Sequence, residues 1–271
     1  MTFSVVGRSA DGRSMGVAVA SKFLAVGSAV PAARLGVGAL ATQSFANTLY
    51  KRDGIALLKA GRDAQATLDA LLAADPERES RQAGVVDVHG RSATFTGSGC
   101  LDWAGGVTGD DVAIQGNILA GPRVVQSMHE VWLADPAAPL PERLVATLAA
   151  GEAAGGDRRG RQSAALLVVS DSGGYTPGDD LAYDLRVDDH PEPVPELARL
   201  LDLHHVYFDS PAEADLLPLS GALADEVRGH LARLGQPDLE TWAGIENYEL
   251  RVRPDRIDAF VLARLREAEV R

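Results

Sequence analysis

Near the start of the chain, Phe3, Val5 and Gly7 alternate with Ser4, Val6 and Arg8, and this period of two predicts a strand. Asp11-Gly12 is a hairpin turn signal. The run from Met15 to Ala20 predicts a second strand. Gly36 to Thr42 predicts a third, after a loop from Phe23 to Arg34. The period then changes. Ile55, Leu57 and Leu58 before the Gly61 stop predict a helix over Leu49 to Ala60. Ala64, Leu68, Leu71 and Leu72 recur at helical spacing within Asp63 to Ala74. Strands return over Ala83 to Val88, Ser92 to Thr96 and Val112 to Ile118. Helices follow from Gly121 to Leu133 and from Pro141 to Ala153. After the glycine-rich loop Gly155 to Gly160, an apolar strand from Ser163 to Ser170 pairs with Tyr183 to Val187 across a polar turn.

Strand groups separated by sequential helix pairs predict sheets layered against helices, not a βαβ alternation. From Pro191-Glu192-Pro193 onward the pattern is helical, over Val194 to Leu203, Pro211 to Leu234, Leu239 to Glu246 and Asp255 to Glu267. The expected organisation is an α+β domain over residues 1–190 and a helical module over residues 191–271. Leu231, Leu234, Trp242, Ile245, Leu250, Ile257, Val261 and Leu265 would form the module's core.

The chain carries 26 Lys plus Arg against 38 Asp plus Glu, a net charge of −12. That balance argues against a general nucleic-acid binder, which needs a basic surface to neutralise phosphates. The lone cysteine, Cys100, excludes an intrachain disulfide and a multi-cysteine metal site. Phe23 to Ala41 is the longest weakly polar stretch, and Pro31, Arg34 and its glycines break it, so no membrane span is expected. The first residues have neither a basic nor an apolar signal segment, so a cytoplasmic address is expected.

Several strings look like chemistry and have simpler readings. Asp171-Ser172-Gly173-Gly174 matches a serine-protease string but falls in a hairpin turn, where these residue types are common. There is no Walker loop and no H-E-x-x-H. Cys100 has no neighbouring base to make a thiolate. His204 and His205 are adjacent on a helix and point in different directions. Asp188-Asp189-His190 reads as an exposed turn before Pro191.

Thr2 differs from these. Initiator methionine is normally removed before a small second residue, which would make Thr2 the N-terminus. A threonine there carries both nucleophile and base, because its hydroxyl attacks while the free α-amine accepts the proton. An unperturbed α-amine has a pKa of about 7.7–8.0, close to cellular pH. The bland alternative is a β-branched residue opening a strand.

The stretches Gly16-Val17-Ala18-Val19-Ala20-Ser21, Ala25-Val26-Gly27-Ser28 and Ala41-Thr42-Gln43-Ser44-Phe45 resemble the DUF1028 family, placed in the N-terminal nucleophile (Ntn) hydrolase superfamily with proteasome β subunits. So do Gln115 to Gly121, Gly155 to Ser163 and Leu185 to Pro191. The resemblance covers about residues 2 to 205 and implies a four-layer αββα sandwich of two antiparallel sheets. It implies Thr2 as nucleophile, with Arg34 or Lys22 supplying positive charge. Lys22 stands where the superfamily relatives carry an Asp. Arginine can stabilise an alkoxide but cannot exchange a proton as lysine can. The backbone amides of Thr42 and Gln43 fall at the oxyanion position. Gly116, Asn117, Asp157 and Ser163 fall near the polar groups that hold the terminal amine.

The tail segments Leu231-Ala232-Arg233-Leu234-Gly235 and Trp242 to Tyr248, followed by Ile257-Asp258, resemble a peptidoglycan-binding-like module. The expected function is a metal-free and cofactor-free amidohydrolase acting on a small-molecule or short peptide-like amide. A muropeptide is one candidate ligand, and a homodimer the expected assembly. The alternatives are a non-catalytic ligand-binding or scaffold protein that kept the fold, and a hydrolase using Cys100 or Ser163.

Overall fold

A computed structural model describes residues 2–171 and 173–268. The initiator Met1, whose removal is expected above, and Ser172 of the protease-like string lie outside the described residues. The described chain divides into two compact units, one ending at Leu201 and the other beginning at Asp202.

The first unit runs β1 (Thr2–Arg8), β2 (Ser14–Ser21), α1 (Val26–Ala29), β3 (Pro31–Arg34), β4 (Gly38–Ser44), α2 (Leu49–Lys59), α3 (Ala64–Ala73) and β5 (Arg81–Asp87). It continues through β6 (Ser92–Thr96), β7 (Gly105–Gly109), β8 (Val112–Asn117), α4 (Arg123–Ala134), α5 (Leu140–Ala153), β9 (Ser163–Ser170) and β10 (Leu181–Val187). Helix α6 (Pro193–Phe208) follows the proline-rich segment. The strands form a six-stranded sheet, β10-β9-β2-β1-β8-β7, and a four-stranded sheet, β3-β4-β5-β6. All their pairings are antiparallel.

Both faces of β1 are buried, and alternation divides its residues between two cores. Phe3 and Val5 pack with Met128, Trp132, Leu144 and Leu148 of α4 and α5. Val6 packs with Val17 and Val19 of its own sheet and with Ala39, Ala41 and Val86 of the other. On the far side of the smaller sheet, Leu40 and Val85 pack with Tyr50, Leu58, Leu68 and Leu71 of α2 and α3. Close approach is needed in two places. A Cβ on Gly7 would fall 2.5 Å from the Trp132 ring, and one on Gly84 would fall 2.0 Å from Gln115 Oε1.

The second unit contains β11 (Leu216–Pro218), α7 (Gly221–Arg233), α8 (Leu239–Ile245), β12 (Val252–Arg253), β13 (Arg256–Asp258) and α9 (Ala259–Glu267). Its core includes Val227, Leu231, Trp242, Ile257, Val261 and Leu265, while Ile245 and Leu250 are exposed. Among the described residues no helix is long and apolar enough to cross a membrane.

The sequence pattern misses short elements. The expected loop from Phe23 to Arg34 contains α1 and β3, of four residues each, too short to show a period. The helix expected from Pro211 begins only at Gly221. Before it, β11 pairs with β13, which also pairs with β12. Pro218 sits in β11 at the edge of that small sheet, where its missing N–H costs no ladder bond.

Candidate functional site

The register of β1 brings its first residue against the ends of two neighbouring strands. Thr2 lies opposite Asn117 of β8, and Phe3 lies opposite Ala20 of β2. The Thr2 hydroxyl consequently reaches the Ser21 hydroxyl at 3.1 Å in a buried contact. Polar residues replace apolar ones at this end, on the face of each strand that meets the other sheet. They are Thr2 and Ser4 on β1, Ser21 on β2, Gln43 on β4, Gln82 on β5, and Gln115 and Asn117 on β8, all buried.

These groups form one hydrogen-bonded network. The Thr2 carbonyl accepts from Gln43 Nε2 at 3.3 Å and from Asn117 Nδ2 at 3.5 Å. Gln82 Oε1 accepts from the same two amides, at 2.8 Å and 2.9 Å. Gln82 Nε2 in turn donates to the Gly116 carbonyl at 2.8 Å and to Thr96 Oγ1 at 2.9 Å. Ser4 Oγ donates to Gln43 Oε1 at 2.7 Å and accepts from Gln115 Nε2 at 2.6 Å. Every side chain in this set is uncharged, and each amide is oriented by the next. One atom stands apart, because Asn117 Oδ1 is buried with no hydrogen-bond partner among the described residues. An orphaned buried acceptor is costly, by about 1–3 kcal/mol, and calls for an explanation.

Gln82 is the junction of the network. Gln82→Leu is expected to orphan Gln43 and Asn117 amide hydrogens and to destabilise the protein by about 3 kcal/mol, at 1–3 kcal/mol per orphaned group. Urea unfolding would measure this, and a loss below about 1 kcal/mol would show that the network relaxes around the change.

The other expected site residues are distributed as follows. Asp157 is buried and tethers strand ends. Its Oδ2 accepts the Lys22 N–H at 2.8 Å, and its Oδ1 accepts the Arg159 N–H at 2.8 Å. Ser163 Oγ accepts the Val26 N–H at 3.1 Å and donates to the Phe23 carbonyl, which fixes the turn after β2. Ser163 lies opposite Ser21 in the sheet, with β2 between its strand and that of Thr2. Lys22 follows Ser21, and its exposed side chain donates through Nζ to the Arg161 carbonyl at 3.2 Å. Two expectations need correction. Arg34 is exposed and pairs with Gly38. Gly38 lies five residues along β4 from Gln43, or roughly 17 Å at a strand's rise. The Thr42 N–H is already bonded to the Val30 carbonyl at 3.2 Å, because β4 is an interior strand. Gln43 contributes its side-chain amide to the site instead.

Cys100 is buried with its Sγ 3.3 Å from the Arg81 carbonyl. Among the described residues there is no group of three or more His, Cys, Asp or Glu side chains that could hold a metal ion. Sequence reasoning did not single out the roles of Ser4, Ser21, Gln82 and Gln115. The available signal was polar residues on the inward positions of otherwise apolar strands.

Beside Ser21 opens a cavity of about 310 Å³, lined also by Phe3, Gly155, Gly156, Glu152 and Arg161. Burial pushes the Glu152 carboxyl above its ordinary range, and Arg161, at 3.3 Å, opposes that shift.

Comparison with known proteins gives the following. Residues 2–197 match the family described as "Family of unknown function (DUF1028)". Residues 207–265 match "Putative peptidoglycan binding domain". A crystal structure of a DUF1028 protein from Silicibacter pomeroyi is 28% identical, covering 83% of this chain and 92% of that one, with a TM-score of 0.68. Anbu, an ancestral β-subunit from Yersinia bercovieri, is 12% identical over 78% of this chain and 98% of that one, with a TM-score of 0.35. No curated protein matches the chain.

Proposed function

The chain belongs to the DUF1028 family, and from that premise we propose that it is an N-terminal nucleophile amidohydrolase with Thr2 as the nucleophile after Met1 removal. Two antiparallel sheets with a shared core, each carrying helices on its other face, support reading the first unit as an αββα sandwich.

The observation that carries the proposal is the pairing of Thr2 with Asn117. Thr2 is held at the end of the sheets, its carbonyl is fixed by two amides, and the acceptor Asn117 Oδ1 in the opposite residue is buried without a partner among the described residues. A neutral α-amine freed at Thr2 supplies an N–H donor to this oxygen and keeps its lone pair to act as base. In the reaction, Thr2 Oγ bonds to the amide carbonyl carbon as its proton passes to the α-amine. The C–N bond then breaks and the leaving amine takes that proton. Water cleaves the acyl ester, which restores the hydroxyl and releases the carboxylic acid. Asp157 and Ser163 act at one remove, by fixing the loops that border the site. For the second unit, its match to a peptidoglycan-binding description supports a muropeptide-type ligand.

One observation favours the alternative of a ligand-binding protein without catalysis. Among the described residues the side chains hydrogen-bonded in the network around Thr2 are all neutral, and Lys22 Nζ donates to the Arg161 carbonyl rather than into that network, so no cation in it assists the threonine. Intact mass of protein from its native host discriminates the two. Loss of Met1 is expected for the hydrolase. Met1 retained on every molecule would sink the Thr2 mechanism, because the α-amine would then lie one residue too far away.

A further inference from the structure

Four large apolar side chains, Phe23, Leu24, Phe45 and Leu101, are each more than half exposed. All four emerge at the end of the sheets where Thr2 lies. Phe23 and Leu24 follow Ser21 out of β2, and Phe45 follows Gln43 out of β4. The Leu101 carbonyl accepts the N–H of Ile118, the residue after Asn117, at 2.8 Å. Single exposed apolar residues are ordinary, but a group collected around one site marks a recognition surface.

The same rim carries a cation. The Arg158 N–H donates to the Ile118 carbonyl at 3.3 Å, which anchors this residue beside the exit of β8. Its neighbours are committed, Arg159 to Asp157 and Arg161 to Glu152. Arg158 is exposed and has no ion pair among the described residues. On a chain of net charge −12, an exposed arginine anchored beside the exit of β8 is a local reversal of sign. Arginine stays protonated and binds carboxylates with two parallel hydrogen bonds.

We infer that the site recognises an amide carrying an apolar chain and a carboxylate, the class of N-acyl amino acids, with the chain on the Phe23–Phe45–Leu101 rim and the carboxylate on Arg158. The inference deepens the amidohydrolase reading and rests on it for the position of the scissile amide at Thr2. Its recognition component is testable on a protein that cannot react.

Calorimetric titration of Thr2→Ala protein with three probes performs that test. N-decanoylglycine is expected to bind at least about tenfold more tightly than N-acetylglycine or N-decanoylglycine methyl ester, since burying several methylenes and pairing one carboxylate each suffice for that factor. Phe45→Ser should reduce the chain-length preference and Arg158→Gln should abolish the carboxylate preference. Equal affinities for the three probes would overturn the inference, as would preferences unchanged in both variants. The two readings fail separately. Wild-type protein that binds with these preferences yet releases no decanoate would remove the nucleophile and leave recognition standing. Hydrolysis without either preference would do the reverse.

Discussion

Thr2→Ala will abolish both amide hydrolysis and covalent labelling by an electrophilic β-lactone, and Thr2→Ser will retain a measurable part of each. The loss expected for alanine is at least about 10⁴-fold in kcat, the scale seen when a catalytic nucleophile is removed. Serine keeps the oxygen and loses only the methyl group, so it preserves the attacking atom. Folding should be nearly indifferent to both changes. The Thr2 hydroxyl meets the Ser21 hydroxyl, and such a hydrogen bond contributes about 1 kcal/mol. The β1 pairings from Phe3 to Gly7 do not depend on that hydroxyl. Mass spectrometry of the labelled protein, with a thermal melt beside it, reads the two effects separately. Label that persists in Thr2→Ala would locate the nucleophile elsewhere.

The sequence announced the frame of this site better than its contents. Strands long enough to show a period, such as Ser163 to Ser170, were legible, as were helices with clear apolar stripes. Thr2 was legible because its chemistry depends on chain position, which a sequence displays directly. Ser21, Gln82 and Gln115 were not, because their roles arise from strand register across two sheets. A glutamine in a strand looks the same in sequence whether it faces solvent or Thr2. Arg34 shows the converse. The resemblance implies a positive charge there, but the β3–β4 hairpin carries Arg34 to the end of β4 opposite Gln43, a separation that strand pairing creates and residue order does not display. In the second unit, strands of two or three residues are below the length at which alternation can be recognised.

A loss of stability as large as that of Gln82→Leu, with a pH dependence of its own, is expected at a buried ion pair that supports the rim of the site. Arg81 Nε donates to Asp75 Oδ2 at 2.9 Å, and both side chains are about nine-tenths buried or more. Asp75 also accepts from Tyr50 Oη at 3.0 Å and from Asn47 Nδ2 at 3.1 Å. Arg81 further holds the Phe45 carbonyl at 2.5 Å and Glu77 at 2.5 Å. The pair thus ties the end of β4 to the start of β5, one residue from Gln82. Asp75→Ala removes the acceptor shared by three side chains and leaves a buried guanidinium with reduced compensation. Breaking such a pair from one side costs about 3–5 kcal/mol. The lower end, about 3 kcal/mol, is expected here because Glu77 is largely exposed and Arg81 keeps two partners. The pH dependence has a defined sign. Hydrogen bonding from Arg81, ahead of the Asn47, Glu77 and Tyr50 contacts, holds the Asp75 carboxyl well below its ordinary range. A carboxyl lowered in the folded state contributes stability that is complete above its unfolded pKa of about 3.9 and declines as pH falls through the folded value. The stability difference between wild type and Asp75→Ala should therefore be constant from neutral pH down to about 5, then narrow on further acidification. Urea unfolding at a series of pH values measures it. A difference independent of pH below 4 would mean that the carboxylate's charge contributes nothing and that packing alone accounts for the loss.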